Sequence, residues 1–281
     1  MDQAFQALVM GIVQGLTEFL PISSSGHLVL VPYVMGWTDP FITSLEFSVL
    51  LNIGTLAALL LYFAKDWLRL IPAGLAALRD RSFRDDPERR LAWLLVATTI
   101  PAALVGYLFN DVIDQQFHGT GPGTAGLVAA MLVVGAAIMW AADRWGSQAR
   151  RIDDVSVPVA FAIGVAQALA LIPGISRSGV SISAGRIAGL DRESAARFSF
   201  LMAAPIILGA TLFEVRKLVG GESGVPVSTG PLVVGLVASF VAGILAIRLL
   251  LGYLRTHSLT IFVVYRLVLA GCIGVLVLLG H

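Results

Sequence analysis

The sequence predicts an all-α polytopic membrane protein: six transmembrane helices plus two re-entrant helix-loop-helix pairs, arranged as an inverted-topology repeat. Three observations carry that expectation. Of 281 residues, 57% are hydrophobic and 13% charged, roughly half the charge of an ordinary soluble domain. Six apolar stretches approach the ~20 residues needed to cross a bilayer. Two further apolar stretches, similar to one another, are each interrupted by proline and a group of serines.

The six expected spans are 41–63, 91–109, 124–142, 195–213, 232–250 and 258–279. The interrupted regions are 4–36, broken at Pro21 and the serines that follow, and 156–190, broken at Pro173-Gly174. Each piece is too short to cross, and irregular backbone at membrane depth is tolerated only where protein covers it or a wet cavity adjoins it. A kinked ordinary span is the plainer alternative for either region.

Basic residues orient the chain. Lys65, Arg69, Arg79, Arg81, Arg84, Arg89 and Arg90 place the connection 64–90 inside, whereas 110–123 has no Lys or Arg and belongs outside. Arg144, Arg150 and Arg151, then Arg186 and Arg192, and finally Arg255, mark inner connections; 214–231 falls outside despite Arg216 and Lys217. The alternation closes only if each broken pair enters and leaves on one side, the first from outside and the second from inside. Both termini then lie outside. The N-terminus, MDQAFQ, lacks a basic leader region and is expected to be retained. Segment 65–81 mixes Trp and Leu with Arg, which suits either a surface helix or a solvated loop. Net charge is +1 and Cys272 is the one cysteine. No nucleic-acid partner, internal disulfide or cysteine metal site is therefore expected.

A shift of 153 residues places GIVQGLTEFLPISSSGHLVL (11–30) on GVAQALALIPGISRSGVSIS (164–183), with seven of 20 positions identical. A shift of 151 places EFSVLL (46–51) on RFSFLM (197–202). The chain thus reads as one membrane domain, 1–281, with a first repeat over 1–155 and a second over 156–281. One broken pair and three spans per repeat make an odd number of crossings, which inverts the second repeat and brings the two breaks together near the midplane.

Chemistry concentrates at these breaks. Gln14 and Glu18 are four apart and share a helix face. Ser23, Ser24, Ser25 and Gly26 then open a second helix, with His27 in its first turn; helix N-termini cap on serine and favour anions. The second break repeats this with Ser176, Arg177, Ser178 and Gly179, followed by Ser181. A guanidinium at membrane depth demands a partner, and its fork suits phosphate or carboxylate. A purely structural Arg177–Glu18 ion pair is the bland reading, compatible with a ligand that interrupts it. Glu18 with Gln14 could also hold Mg²⁺ or Ca²⁺ bridged to phosphate. Glu46 and Arg197, at equivalent repeat positions, are expected to pair structurally. Arg248 and Arg266 are expected to snorkel or bond across helices, Asn52 to join helices, and His118 and His257 to be solvated.

QGLTEFLPISSSGH and PGISRSGVS resemble the two signature motifs of the bacterial undecaprenyl-diphosphatases, the integral-membrane type linked to bacitracin resistance. FSFLMAAPIILGA (198–210) and HSLTIFVVYR (257–266) extend the resemblance along nearly the whole chain. Gln14 stands where the pattern allows Glu or Gln, leaving Glu18 as the lone carboxylate, and Ser181 replaces a threonine. The resemblance implies hydrolysis of undecaprenyl diphosphate, a long-chain prenyl diphosphate lipid, to the monophosphate and phosphate. It also implies a divalent metal and a site open to the outer face of the bacterial plasma membrane. Ser23, Ser25, Gly26, Ser176, Ser178, Gly179 and Ser181 would then bind substrate, and Glu18, Ser24, His27 and Arg177 would act in catalysis. Ser24 could attack with His27 or Glu18 as base, His27 could attack directly, or either could activate water; Ser24 assisted by His27 is the preferred reading. An anion or lipid-phosphate transporter is the alternative. An unrelated acid-phosphatase type with a PSGH motif is discounted, because no suitable histidine follows Arg177. Oligomeric state is open, a homodimer included.

Overall fold

Two helix breaks organise the molecule. The computed structural model describes residues 2–83, 86–117, 122–220 and 226–279. Helix α1 (Gln3–Phe19) starts at Asp2, whose Oδ1 accepts from the Ala4 N–H at 3.3 Å. It stops where Leu20 turns extended ahead of Pro21, as a residue before proline is pressed to do. Helix α2 (Ser24–Met35) follows and ends at Gly36 in the left-handed region, φ 64°. The second break repeats this shape between α8 (Val157–Ala168) and α9 (Arg177–Ile187). The residues that start the second helix of each pair, Ser23 and Ser176, both sit at φ 75°, uncommon for a residue with a side chain. Each accepts the N–H three residues on, from Gly26 at 3.3 Å and Gly179 at 3.1 Å. At about 1.5 Å per residue, α2, α8 and α9 reach less than 20 Å, short of a ~30 Å hydrocarbon core.

The remaining helices are α3 (Leu45–Tyr62), α4 (Ala64–Asp80), α5 (Pro87–Ala97), α6 (Thr99–Phe117), α7 (Pro122–Trp145), α10 (Arg192–Val219), α11 (Thr229–Leu254) and α12 (Thr260–Leu278). Among the described residues there is no strand beyond an isolated Arg150–Leu190 bridge. Six segments among the described residues are long and apolar enough to cross a membrane: Leu45–Tyr62, Pro87–Leu108, Gly123–Trp145, Arg192–Leu218, Thr229–Leu254 and Thr260–Leu278. Each coincides with an expected span. The second joins α5 to α6 through buried Thr98, whose hydroxyl turns back to the Leu95 carbonyl. Segment 65–81 is helix rather than loop, with Leu68, Ile71, Leu75 and Leu78 exposed at helical spacing. On α11, Val233, Val237, Val241, Leu245 and Leu249 form an exposed apolar ridge.

Packing crosses between the two halves of the sequence. Helices α1 and α3 lie on α11, α3 on α10, and α7 on α12. Glycine sets the closest approach: a Cβ on Gly15 would come within 2.5 Å of the Ser239 carbonyl, and one on Gly11 within 2.3 Å of the Gly235 carbonyl. Small residues let membrane helices meet at backbone distance, where dispersion does the work that water exclusion does elsewhere. At the end of α7, Asp143 receives Arg192 Nε at 2.7 Å and the Leu259 N–H at 3.0 Å. Fully buried Arg186 donates to the carbonyls of Ser147, Leu190 and Gly146 there.

The expected Glu46–Arg197 pair does not form. Glu46 sits in the first turn of α3, while Arg197 binds Asp66, just beyond its last turn, at 2.5 Å. The 18 residues of α3 separate the two by about 27 Å. Equivalence in a repeat does not bring two residues to the same end of a helix. His257 is exposed as expected; His118, and 221–225 of the connection 214–231, lie outside the described residues.

Replacing Gly15 by Val is expected to cost about 1–3 kcal/mol by overpacking, read as a lower melting temperature in detergent. Gly271→Val, at a position with open space around it, should leave the melting temperature unchanged.

Candidate active site

The breaks meet. Ser23 Oγ accepts from the Gly174 N–H at 3.1 Å, and Ser178 Oγ donates to the Leu20 carbonyl at 3.1 Å, so each break seals the other's free backbone. Fully buried Arg266 of α12 clamps both. Its guanidinium donates to the carbonyls of Pro21 (3.4 Å), Gly174 (2.5 Å) and Ile175 (3.0 Å), and to Leu132 of α7 at 3.2 Å. Carbonyls freed where a helix stops are costly in an apolar surround, and a five-donor fork can satisfy several at once. Of the two expectations for Arg266, bonding across helices is the one observed. Arg248 is exposed.

Glu18 is the centre of the polar cluster. Its Oε1 pairs with Arg177 Nη2 at 3.2 Å, with both side chains nearly buried. Its Oε2 accepts from Ser24 Oγ at 2.7 Å and from Gln14 Nε2 at 3.1 Å. Gln14 Nε2 also donates to Asn52 Oδ1 at 2.8 Å, joining α1 to α3 as expected of Asn52. Arg177 is steadied by the Ser199 carbonyl at 3.2 Å. Two buried atoms here have no hydrogen-bond partner: Arg177 Nε, a donor, and Gln14 Oε1, an acceptor. Orphaned buried polar atoms are rare, and these two lie on the residues that bind Glu18.

A cavity of about 640 Å³ opens from this cluster. Gln14, Glu18, Ser24, Ser25 and Asn52 form one polar end; Leu28, Val29, Tyr33, Trp37 and Val49 give it an apolar wall, and Thr38, Thr43, Ser44 and Ser48 add hydroxyls. It runs toward the start of α3, past Ser44 and Leu45. Such a shape suits a ligand with an anionic head and an apolar tail.

The other residues singled out by sequence divide clearly. Ser25 lines the cavity, with its Oγ 3.3 Å from Ser23 Oγ. Ser23, Ser176, Ser178 and Ser181 are buried and engaged within the protein rather than ringed around a ligand. Ser23 and Ser176 cap helices, while Ser181 Oγ lies 2.6 Å from Ser199 Oγ. Gly26 and Gly179 supply the capped N–H groups. His27 does not face Arg177. Its Nδ1 lies 2.7 Å from the Ser23 carbonyl, which can only accept, so Nδ1 carries the proton. In the neutral ring, Nε2 then accepts from the Tyr265 hydroxyl at 2.8 Å, and the two rings stack at 13°. With both nitrogens taken, the ring is held against α12. Asn52 and Arg266 were expected to play structural roles only, and Tyr265 was not singled out. A polar side chain within an apolar span was the available signal for each.

No group of three or more His, Cys, Asp or Glu able to hold a metal occurs among the described residues. The oxygens on offer are the Glu18 carboxylate and the unpartnered Gln14 Oε1. That set fits a hard cation such as Mg²⁺ or Ca²⁺ only when diphosphate and water complete its shell.

A family model described as bacitracin resistance protein BacA matches residues 7–272. The chain belongs to that family. Among its relatives, an undecaprenyl-diphosphatase of Desulforudis audaxviator is 42% identical over 98% of both chains. That of Thermomicrobium roseum is 42% identical over 94% of this chain and 95% of its own, and that of Gemmatimonas aurantiaca 43% over 94% of each. With six apolar helices, this member of the family is a multi-pass membrane protein.

Arg266→Met should free the carbonyls of both breaks together and lower the melting temperature by more than Arg266→Lys, which keeps part of the bonding. Equal melting temperatures for the two variants would mean that Arg266 does not clamp the breaks.

Proposed function

We propose that the chain hydrolyses undecaprenyl diphosphate to undecaprenyl phosphate and inorganic phosphate, recycling a lipid carrier for peptidoglycan synthesis. The observation that carries this reading is the Glu18 carboxylate, 2.7 Å from Ser24 Oγ and ion-paired across the breaks to Arg177, in a cavity that also has an apolar wall. The names of the relatives agree, and they lend no support to the transporter alternative.

Arg177 binds the terminal phosphoryl group, its free Nε completing the fork that now reaches only Glu18 and Ser199. As the phosphate draws Arg177 away, Glu18 Oε1 is released. Ser24 Oγ attacks phosphorus and gives its proton to Glu18, the Oγ–P bond forms, and the bond to the bridging oxygen breaks as the prenyl monophosphate leaves. Glu18 passes that proton to the departing prenyl monophosphate. Water then attacks the phosphoserine and gives a proton to Glu18, the Oγ–P bond breaks to release phosphate, and Glu18 returns the proton to Ser24 Oγ. The Ser24–Glu18 bond favours Glu18 over His27 as base; His27 positions the loop through Ser23 and Tyr265. Charge on the donors of Arg177 and the start of α2 spreads the load of the transition state. Glu18 and Gln14 would hold a divalent cation, which would supply neutralising charge to the leaving phosphate.

We read the two broken pairs as re-entrant, and residues 1–155 and 156–281 as inverted repeats of one membrane domain. The matching φ of Ser23 and Ser176 and their matching caps support this. The cavity lies toward the start of α3, whereas Lys65 and Arg69 follow its end. With the basic end inside, the site faces the outer side of the bacterial plasma membrane.

Phosphate release by purified protein from undecaprenyl diphosphate tests this. Arg177→Ala and Ser24→Ala should each lose at least about 100-fold in turnover, His27→Gln less than tenfold, and chelator should stop the reaction until Mg²⁺ or Ca²⁺ is restored. Unimpaired Arg177→Ala turnover would sink the site; a His27→Gln loss equal to that of Ser24→Ala would return the chemistry to His27.

A further inference from the structure

A second cavity, of about 690 Å³, lies at the other end of α3 from the active site. Five cations line it, Lys65, Arg69, Arg197, Arg248 and Arg255, against two carboxylates, Asp66 and Glu193. Both carboxylates are already committed. Asp66 holds Arg69 at 3.0 Å and Arg197 at 2.5 Å, and Glu193 holds Arg255 at 2.9 Å. Five cations less two anions leave an excess of three positive charges. Counting Glu88, which reaches Arg69 from α5 at 3.5 Å, still leaves two. Lys65 and Arg248 make no ion pair among the described residues.

Like charges gathered in a concave site repel one another and raise the local concentration of anions. The donors are also adaptable. The side chains of Arg69 and Arg255 are 60% and 66% exposed, so either can turn to a ligand without leaving a buried charge behind. Guanidinium forks match phosphate oxygens two at a time. The surroundings favour a phosphate that carries a tail. Leu61 lines the cavity and is 58% exposed, and Leu249, the neighbour of Arg248, is 66% exposed on the apolar outer ridge of α11. Basic pockets at the ends of membrane helices bind lipid head groups in this manner.

We propose that this cavity is a second phosphate site, separate from the Glu18–Arg177 centre, that takes the anionic head group of a membrane lipid between the ends of α3 and α11. The proposal does not depend on the hydrolytic reading, because none of its residues contributes to that centre.

Native mass spectrometry of the full chain in detergent, with added phosphatidic acid or phosphatidylcholine, tests it. The unaltered protein is expected to retain phosphatidic acid at least tenfold better than phosphatidylcholine. Lys65→Gln/Arg248→Gln should lose that preference, while Arg248→Lys, which keeps the charge, should hold it. Turnover at the other centre should stay within twofold for both variants. Taking the difference between the unaltered and double-variant proteins separates this cavity from lipid bound elsewhere. Inorganic phosphate at millimolar concentration provides the second arm: displacement of lipid assigns recognition to the phosphate alone, and failure to displace it assigns a share to the tail. Either outcome supports a phosphate site. An undiminished preference in the double variant, loss of it in Arg248→Lys, or no preference in the unaltered protein would overturn it.

Discussion

Everything in this molecule depends on two helix breaks satisfying one another. Stopping a helix among apolar spans exposes carbonyls and N–H groups where water is scarce, and each costs free energy until it is paired. Ser23 takes the Gly174 N–H, Ser178 gives to the Leu20 carbonyl, and Arg266 gathers the carbonyls of Pro21, Gly174 and Ile175. Neither break is satisfied without the other. The same juncture places Glu18 against Arg177, so the backbone solution and this ion pair are one arrangement.

That arrangement explains the different uses of similar residues. Ser23 and Ser176 share a backbone shape and a capping role, yet the next position is Ser24 in one break and Arg177 in the other. The repeated geometry supplies the platform, and the difference at this position supplies a hydroxyl on one side and a cation on the other. Close glycine packing of α1 on α11 fixes the helix that carries Gln14 and Glu18. Arg266 and the His27–Tyr265 contact fix α12 against the other side.

Much of this was legible in the sequence. Hydropathy located the six spans, because a bilayer demands a minimum apolar length. Pro21 and Pro173-Gly174 located the breaks, and two opposite charges at membrane depth pointed to the Glu18–Arg177 pair. What was not legible depends on which way side chains turn. His27 reads as a facing acid-base group, but the Ser23 carbonyl and Tyr265, 238 positions away, hold its ring elsewhere. The serines read as a ring of hydroxyls, whereas most are used in sealing the backbone. Arg266 carries no local signal of its partners, which come from three distant stretches of chain. The Glu46–Arg197 expectation took repeat equivalence for proximity, and the length of α3 rules it out.

Whether residues from the two breaks work as one centre is decided by a double-variant cycle on turnover. Glu18→Gln and Arg177→Ala should each lower kcat/KM by about 100-fold or more. If they form one unit, the combined variant should lose no more than about tenfold beyond the worse single variant, because coupled residues are not additive. Losses that multiply in full would show two independent contributions and contradict a shared centre.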